Sequence, residues 1–157
     1  MLDDIAGRVQ ADFARARTRA FLNDIFGFLS GRPKQLLSYD QVKEKLRIGG
    51  PIYRGVRTVE IARIVGSVNR YADFDRAFLP THSRIANRWQ NIDRAFYEDI
   101  NLPPVVLYKV GDVYFVVDGH HRVSVARQQG QEFIEAEVRE CHVKVPVGPD
   151  LRPEALE

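Results

Sequence analysis

The sequence predicts an α+β fold, a small mixed sheet with packed helices, preceded by an N-terminal helical arm. Three observations carry that prediction. Residues 3–30 hold a helical repeat, residues 105–117 read as a β-hairpin, and from residue 58 onward strand and helix patterns alternate. A chain of 157 residues, 45% apolar and 28% charged, is long enough to bury one core of ordinary size. The expected organisation is an arm over 1–50, a domain over 51–145 and a loose tail over 146–157, where Pro146, Pro149 and Pro153 stand.

In the arm, Arg8, Asp12, Arg15 and Arg19 recur as a polar stripe, while Ile5, Val9, Phe13, Ala16 and Ala20 form an apolar one. From Phe21 to Leu29 the helix turns apolar on nearly every side, so that end needs a cover: the domain or a second copy of the chain. Gly31-Arg32-Pro33 stops it. Ser38 is the expected N-cap of a short helix ending at Leu46, before Gly49-Gly50-Pro51. Thr58 to Val68, rich in Val and Ile, reads as a strand with Gly66 as its end or a bulge. A polar loop from Tyr71 to Pro80 follows. Ile85, Trp89, Ile92 and Phe96 then mark an amphipathic helix over 83–99, capped by Thr81 or Ser83, with Trp89 in the core.

Val105–Val110 and Val113–Val117 flank Gly111-Asp112, a dipeptide suited to a tight hairpin turn. The second hairpin strand is apolar on both faces and therefore central. A helix led by Val123, Val125 and Ala126 ends at Gly130, and Ile134, Ala136 and Val138 alternate with charged residues in a last strand.

Charge and cysteine usage narrow the function classes. The net charge of +2 conceals a gradient: residues 1–57 carry eleven Lys/Arg against six Asp/Glu, and residues 105–157 carry six against nine. That balance is weak for a nucleic-acid binder. One cysteine, Cys141, excludes an internal disulfide and any multi-cysteine zinc cluster, and Cys141-His142 lacks a second pair, so no metal site is expected. No apolar run approaches the roughly 20 residues of a membrane helix, and Met1-Leu2-Asp3-Asp4 lacks the features of a secretory leader; a cytoplasmic location and no membrane partner are expected.

One junction concentrates polar groups that a core does not require. At Asp118-Gly119-His120-His121-Arg122 a buried strand delivers an acid, a glycine, two imidazoles and a guanidinium onto the first turn of a helix. A helix N-terminus presents unpaired N–H groups and positive dipole charge, which favours an anion such as phosphate. Gly119 would allow close approach, Arg122 would offer paired donors, and His120 or His121 a further donor. Asp118 would cap the helix, fix a histidine tautomer or hold magnesium through water.

The stretch from Tyr114 to Ala126, with Gly130 and the strand near Ile134, resembles the signature of the ParB/sulfiredoxin superfamily; the likeness spans about residues 58–140. ParB proteins have G-E-R-R at this turn and sulfiredoxins G-C-H-R. The resemblance implies that Gly119, His121 and Arg122 contact phosphates and that Arg70, after the opening strand, joins them. His120 stands where sulfiredoxin has its cysteine nucleophile, and an imidazole cannot form that reaction's thiosulfinate. A related free-serine kinase implies that phosphoryl transfer is open to the scaffold, in which case a carboxylate accepts the substrate proton; Glu60, Asp73 and Asp75 are the candidates.

Two readings follow. In the first, the domain binds a nucleotide (ATP, ADP or CTP, with magnesium as a helper) and is an NTPase or small-molecule phosphotransferase, with Arg70, Asp118, Gly119, His120, His121 and Arg122 as phosphate residues and Asp73, Asp75 and His120 as catalytic ones. In the second, it is a non-enzymatic DNA-associated protein of the ParB kind, partitioning or nuclease-like, whose basic arm contacts DNA. Either form could be a homodimer through the N-terminal helix.

Overall fold

The computed structural model describes residues 2–31, 33–70 and 72–152. The expectations that fall on Met1, Arg32, Tyr71 and Pro153 lie outside them. The fold is α+β: helices α1 (Leu2–Ser30), α2 (Tyr39–Leu46), α3 (Ala86–Tyr97) and α4 (His120–Gln128) pack on a mixed sheet of β1 (Leu37–Ser38), β2 (Pro51–Glu60), β3 (Ile64–Ser67), β4 (Val105–Val110), β5 (Val113–Asp118) and β6 (Phe133–Cys141). The spatial order is β1-β3-β5-β4-β6-β2. The pairs β1–β3, β3–β5 and β4–β6 are parallel, and β4–β5 and β2–β6 antiparallel.

Each face of the sheet has its own core. On one, Phe13, Ala16 and Ala20 of α1 meet Trp89, Val116, Val123, Ile134 and Val138. On the other, Tyr39 and Val42 of α2 meet Leu37, Val113, Phe115 and Cys141. Strand β5 feeds both, Phe115 one way and Val116 the other, which is why its run is apolar throughout. Trp89 is fully buried, its ring edge-on to Phe13 at 5.5 Å, and its indole N–H donates to Ser124 Oγ at 2.8 Å. That one side chain joins α1, α3 and α4.

Several local expectations are corrected. The strand expected over 58–68 is two strands: β2 starts at Pro51, a 3-10 turn at Ile61–Arg63 intervenes, and β3 lies across the sheet from it, beyond β6, β4 and β5. Gly66 sits at a register shift, where an added Cβ would come within 2.3 Å of Phe115. Helix α2 has Ser38 at its N-cap, but no side-chain bond caps it; Leu37 and Ser38 pair with β3. Neither Thr81 nor Ser83 caps α3; a 3-10 turn at Ser83–Ile85 leads into it. Residues 1–50 are built into the domain rather than appended to it, with α1 in one core and α2 in the other. The segment after Val145 is also tied down, since Val147 is buried and Arg76 donates to Pro149 O and Leu151 O.

Asp12, expected on the polar stripe, is buried. It accepts bonds from Tyr97 Oη at 2.5 Å and Gln129 Nε2 at 3.1 Å, pairs with Arg15, and bonds to the buried carboxyl of Asp93. The last turns of α1 leave Phe21, Leu22, Ile25, Phe26, Phe28 and Leu29 exposed. At about 100° per residue these six fall within one arc of about 160°, opposite the buried Ala16, Ala20 and Gly27. The apolar surface is thus a single outward face, and the domain does not cover it.

Candidate functional site

The central strands and the helix that follows them create the site. Strand β5 ends at Asp118, the chain turns at Gly119, and α4 begins at His120. Gly119 is the N-cap residue and no side chain caps this helix, so its first N–H groups have no side-chain partner. The requirement for glycine is internal: φ is +106°, and an added Cβ would lie 2.5 Å from Val105 Cγ1. Asp118, expected as a helix cap or a holder of a histidine tautomer, does neither; it is exposed at the rim.

Ser67 takes the tautomer role. Its hydroxyl accepts from the backbone N–H groups of Asn69 (3.2 Å) and Arg70 (2.9 Å) and lies 2.7 Å from His120 Nε2. With its acceptor positions occupied, the hydroxyl proton goes to Nε2, which leaves His120 carrying its proton on Nδ1. The His120 ring is buried and stacks on Phe74, and the His121 ring meets Phe74 edge-on at 5.4 Å. Burial, reinforced by the charge of Arg70, presses the pKa of each imidazole down to about 4. Both rings are neutral at pH 7.

In front of this turn lies a cavity of about 380 Å³. Its polar wall comprises Arg70, Arg88, Asn91, Asp118, Gly119, His120, His121 and Arg122. The guanidinium groups of Arg88 and Arg122 form no hydrogen bond or ion pair with any described residue. Burial lowers the Arg122 pKa against the opposing charge of Asp118. Arg70 is partly engaged, 3.3 Å from Asp73. The cavity therefore gathers three guanidinium groups against one carboxylate, beside an uncapped helix start.

The catalytic candidates fare unevenly. Of Asp73, Asp75 and His120, only His120 lines the cavity. Asp73 pairs with Arg70 and with His82 at 2.9 Å; burial opposes its ionisation, but those partners outweigh it and hold its pKa below the ordinary value. Asp75 is spent on the loop, where its Oδ1 accepts from the N–H groups of Ala77 (2.9 Å) and Leu79 (3.0 Å); burial pushes its pKa up to about 6. Glu60 ends β2 beside Arg63. Sequence reasoning missed Ser67, Arg88 and Asn91. The i, i+3 spacing of Arg88 and Asn91 was the available signal, but it names a helix side and not what that side faces.

No protein-family profile matches the chain, and no curated protein matches it. Among solved structures, a sulfiredoxin from Arabidopsis thaliana is similar, with 16% identity over 55% of this chain and 86% of that one and a TM-score of 0.42. At that score the similarity bears on neither the cavity nor its chemistry.

Among the described residues no group of three His, Cys, Asp or Glu is placed to hold an ion, and Asp118 is the single carboxylate lining the cavity. Nor is any helix long and apolar enough to cross a membrane.

Proposed function

We propose that the chain is a ParB/sulfiredoxin-like domain that binds a nucleotide through its phosphates in the cavity before α4. The observation that carries this reading is the pair of guanidinium groups on Arg88 and Arg122, which form no hydrogen bond or ion pair with any described residue and line one cavity with the open start of a helix. Burial disfavours the charge on Arg122 and Asp118 offsets that only in part; a phosphate would supply charge-assisted, bidentate bonds to these guanidinium groups. Were magnesium to accompany the nucleotide, Asp118 would be the residue to hold it, through water, and the ion would offset the phosphate charge. If phosphoryl transfer or hydrolysis occurs, Asp118 is the carboxylate placed to accept a proton, in place of Asp73 and Asp75.

In the alternative, DNA-associated reading the arginines of α1 are already engaged within the chain. Arg8 pairs with Asp4 and Arg15 with Asp12, Arg17 donates to Pro80 O and Arg19 to Gln128 Oε1. A homodimer would form through the outward apolar face of α1; the wild type should sediment as a dimer and a Phe21→Asp/Phe28→Asp variant as a monomer, and a monomeric wild type would overturn it.

Heat-shift measurements with ATP, ADP and CTP, with and without magnesium, test the nucleotide reading. At a hundredfold excess over Kd a ligand adds about 2.7 kcal/mol, which for a domain of this size raises Tm by roughly 5–10 °C. The wild type should shift and Arg122→Ala should not. No shift with any nucleotide, together with duplex DNA binding that weakens steeply with salt, would replace this reading with the DNA-associated one.

A further inference from the structure

Beyond Arg122 a second cavity opens, of about 450 Å³, and Arg122 and Ile92 line both. Its walls differ in kind. Phe96, Ile100 and Phe133 line it while remaining 40%, 52% and 51% exposed. Exposed apolar side chains that converge on a concavity mark a ligand site more specifically than scattered ones do.

The wall is held in place by the end of α3. Asp99 N–H donates to Phe96 O at 3.2 Å and Ile100 N–H to Ala95 O at 3.0 Å, with Asp99 at φ 57°. This is a Schellman closure built without glycine; it turns the chain at the end of α3 and sets the position of Ile100, which lines the cavity. Charge separates the two cavities. The first collects Arg70, Arg88 and Arg122 against Asp118, whereas the second has Asp99 and Glu135 and shares only Arg122. A phosphate is drawn to the first and repelled from the second; a neutral ring bearing amino groups suits the second.

We propose that the second cavity seats the nucleoside of the bound nucleotide, so that Arg122 stands at the junction between the phosphates and the organic body. The shared wall selects this occupant: Arg122 and Ile92 line both cavities, so a ligand whose phosphates engage Arg122 in the first has its organic body adjacent to the second, whose volume of about 450 Å³ is that of a small-ligand site. The proposal rests on the phosphate reading of the first cavity.

Titration calorimetry with inorganic triphosphate, ATP and CTP, on wild type, Ile100→Ala and Phe133→Ala, tests it. Both substituted side chains are half exposed, and circular dichroism confirms the fold of each variant. The wild type should bind a nucleotide at least tenfold more tightly than inorganic triphosphate. Each variant should lose threefold or more of that advantage while keeping its affinity for inorganic triphosphate. Equal affinity for inorganic triphosphate and both nucleotides, or an advantage that neither variant reduces, overturns the assignment and leaves the phosphate reading standing. If inorganic triphosphate and both nucleotides all fail to bind, the phosphate reading falls and takes this proposal with it.

Discussion

Replacing Asp93 with asparagine should flatten the stability of the protein between about pH 4 and pH 7. Asp93 is fully inaccessible, and its carboxyl meets that of Asp12, with Gln129 Nε2 bridging to Asp93 Oδ1 at 2.7 Å and Asp12 Oδ2 at 3.1 Å. Burial, then the bond to Asp12, pushes the Asp93 pKa up to about 7, while Asp12 keeps the charge, stabilised by Tyr97 and Arg15. The folded protein thus holds a proton that the unfolded chain releases near pH 4. Stability is greatest below that point and is lost as pH rises through about 7. One proton held over about three pH units at 1.36 kcal/mol per unit is worth up to about 4 kcal/mol. An asparagine amide donates to Asp12 and its oxygen accepts from Gln129 at every pH. Urea denaturation followed by Trp89 fluorescence should find the Asp93→Asn variant level with or slightly below the wild type at pH 5, and more stable by on the order of 3 kcal/mol at pH 8. Parallel pH profiles for the two proteins would refute the shared-proton account.

Gly119→Ala should destabilise by on the order of 3 kcal/mol, since it combines a positive φ with a Cβ against Val105; a denaturation midpoint equal to the wild type's would contradict the local geometry. Ser67→Ala removes the partner of His120 Nε2 and of two backbone N–H groups and should cost about 2–3 kcal/mol. Nitrogen chemical shifts of His120 should also show the Nδ1–H tautomer in the wild type and a mixture in the variant. Because burial holds both imidazole pKa values near 4, the ring nitrogen chemical shifts of His120 and His121 in the ligand-free protein should show no inflection between pH 6 and 8, and a midpoint near 6.5 in those shifts would place a charged histidine in the cavity.

The elements whose signals are local were legible in the sequence. Helix α1, the hairpin and its turn, the two-faced β5 and the Trp89 helix follow from periodicity and turn chemistry within a dozen or so residues. What escaped was set by partners distant in sequence. Leu37–Ser38 becomes a strand only because β3 lies beside it, and Pro51–Tyr53 extends because β6 pairs with it from across the chain. Asp12 looked like a surface residue until Tyr97 and Gln129 enclosed it. The site divides in the same way. Residues 118–122 declare themselves as a consecutive run, whereas Arg88 and Asn91 reach the cavity from another helix, and Asp75 reads as a free acid in sequence although its oxygen is committed to Ala77 and Leu79.

The most direct measurement is phosphorus NMR of inorganic triphosphate titrated with wild type and with Arg88→Ala/Arg122→Ala at fixed salt. Each charge-assisted bond is worth about 1.5–3 kcal/mol, so losing both guanidinium groups should weaken binding by at least a hundredfold with little change in Tm, because neither group forms a hydrogen bond or ion pair with any described residue. Broadened triphosphate signals that respond identically to both proteins, or to neither, would contradict a phosphate site before α4.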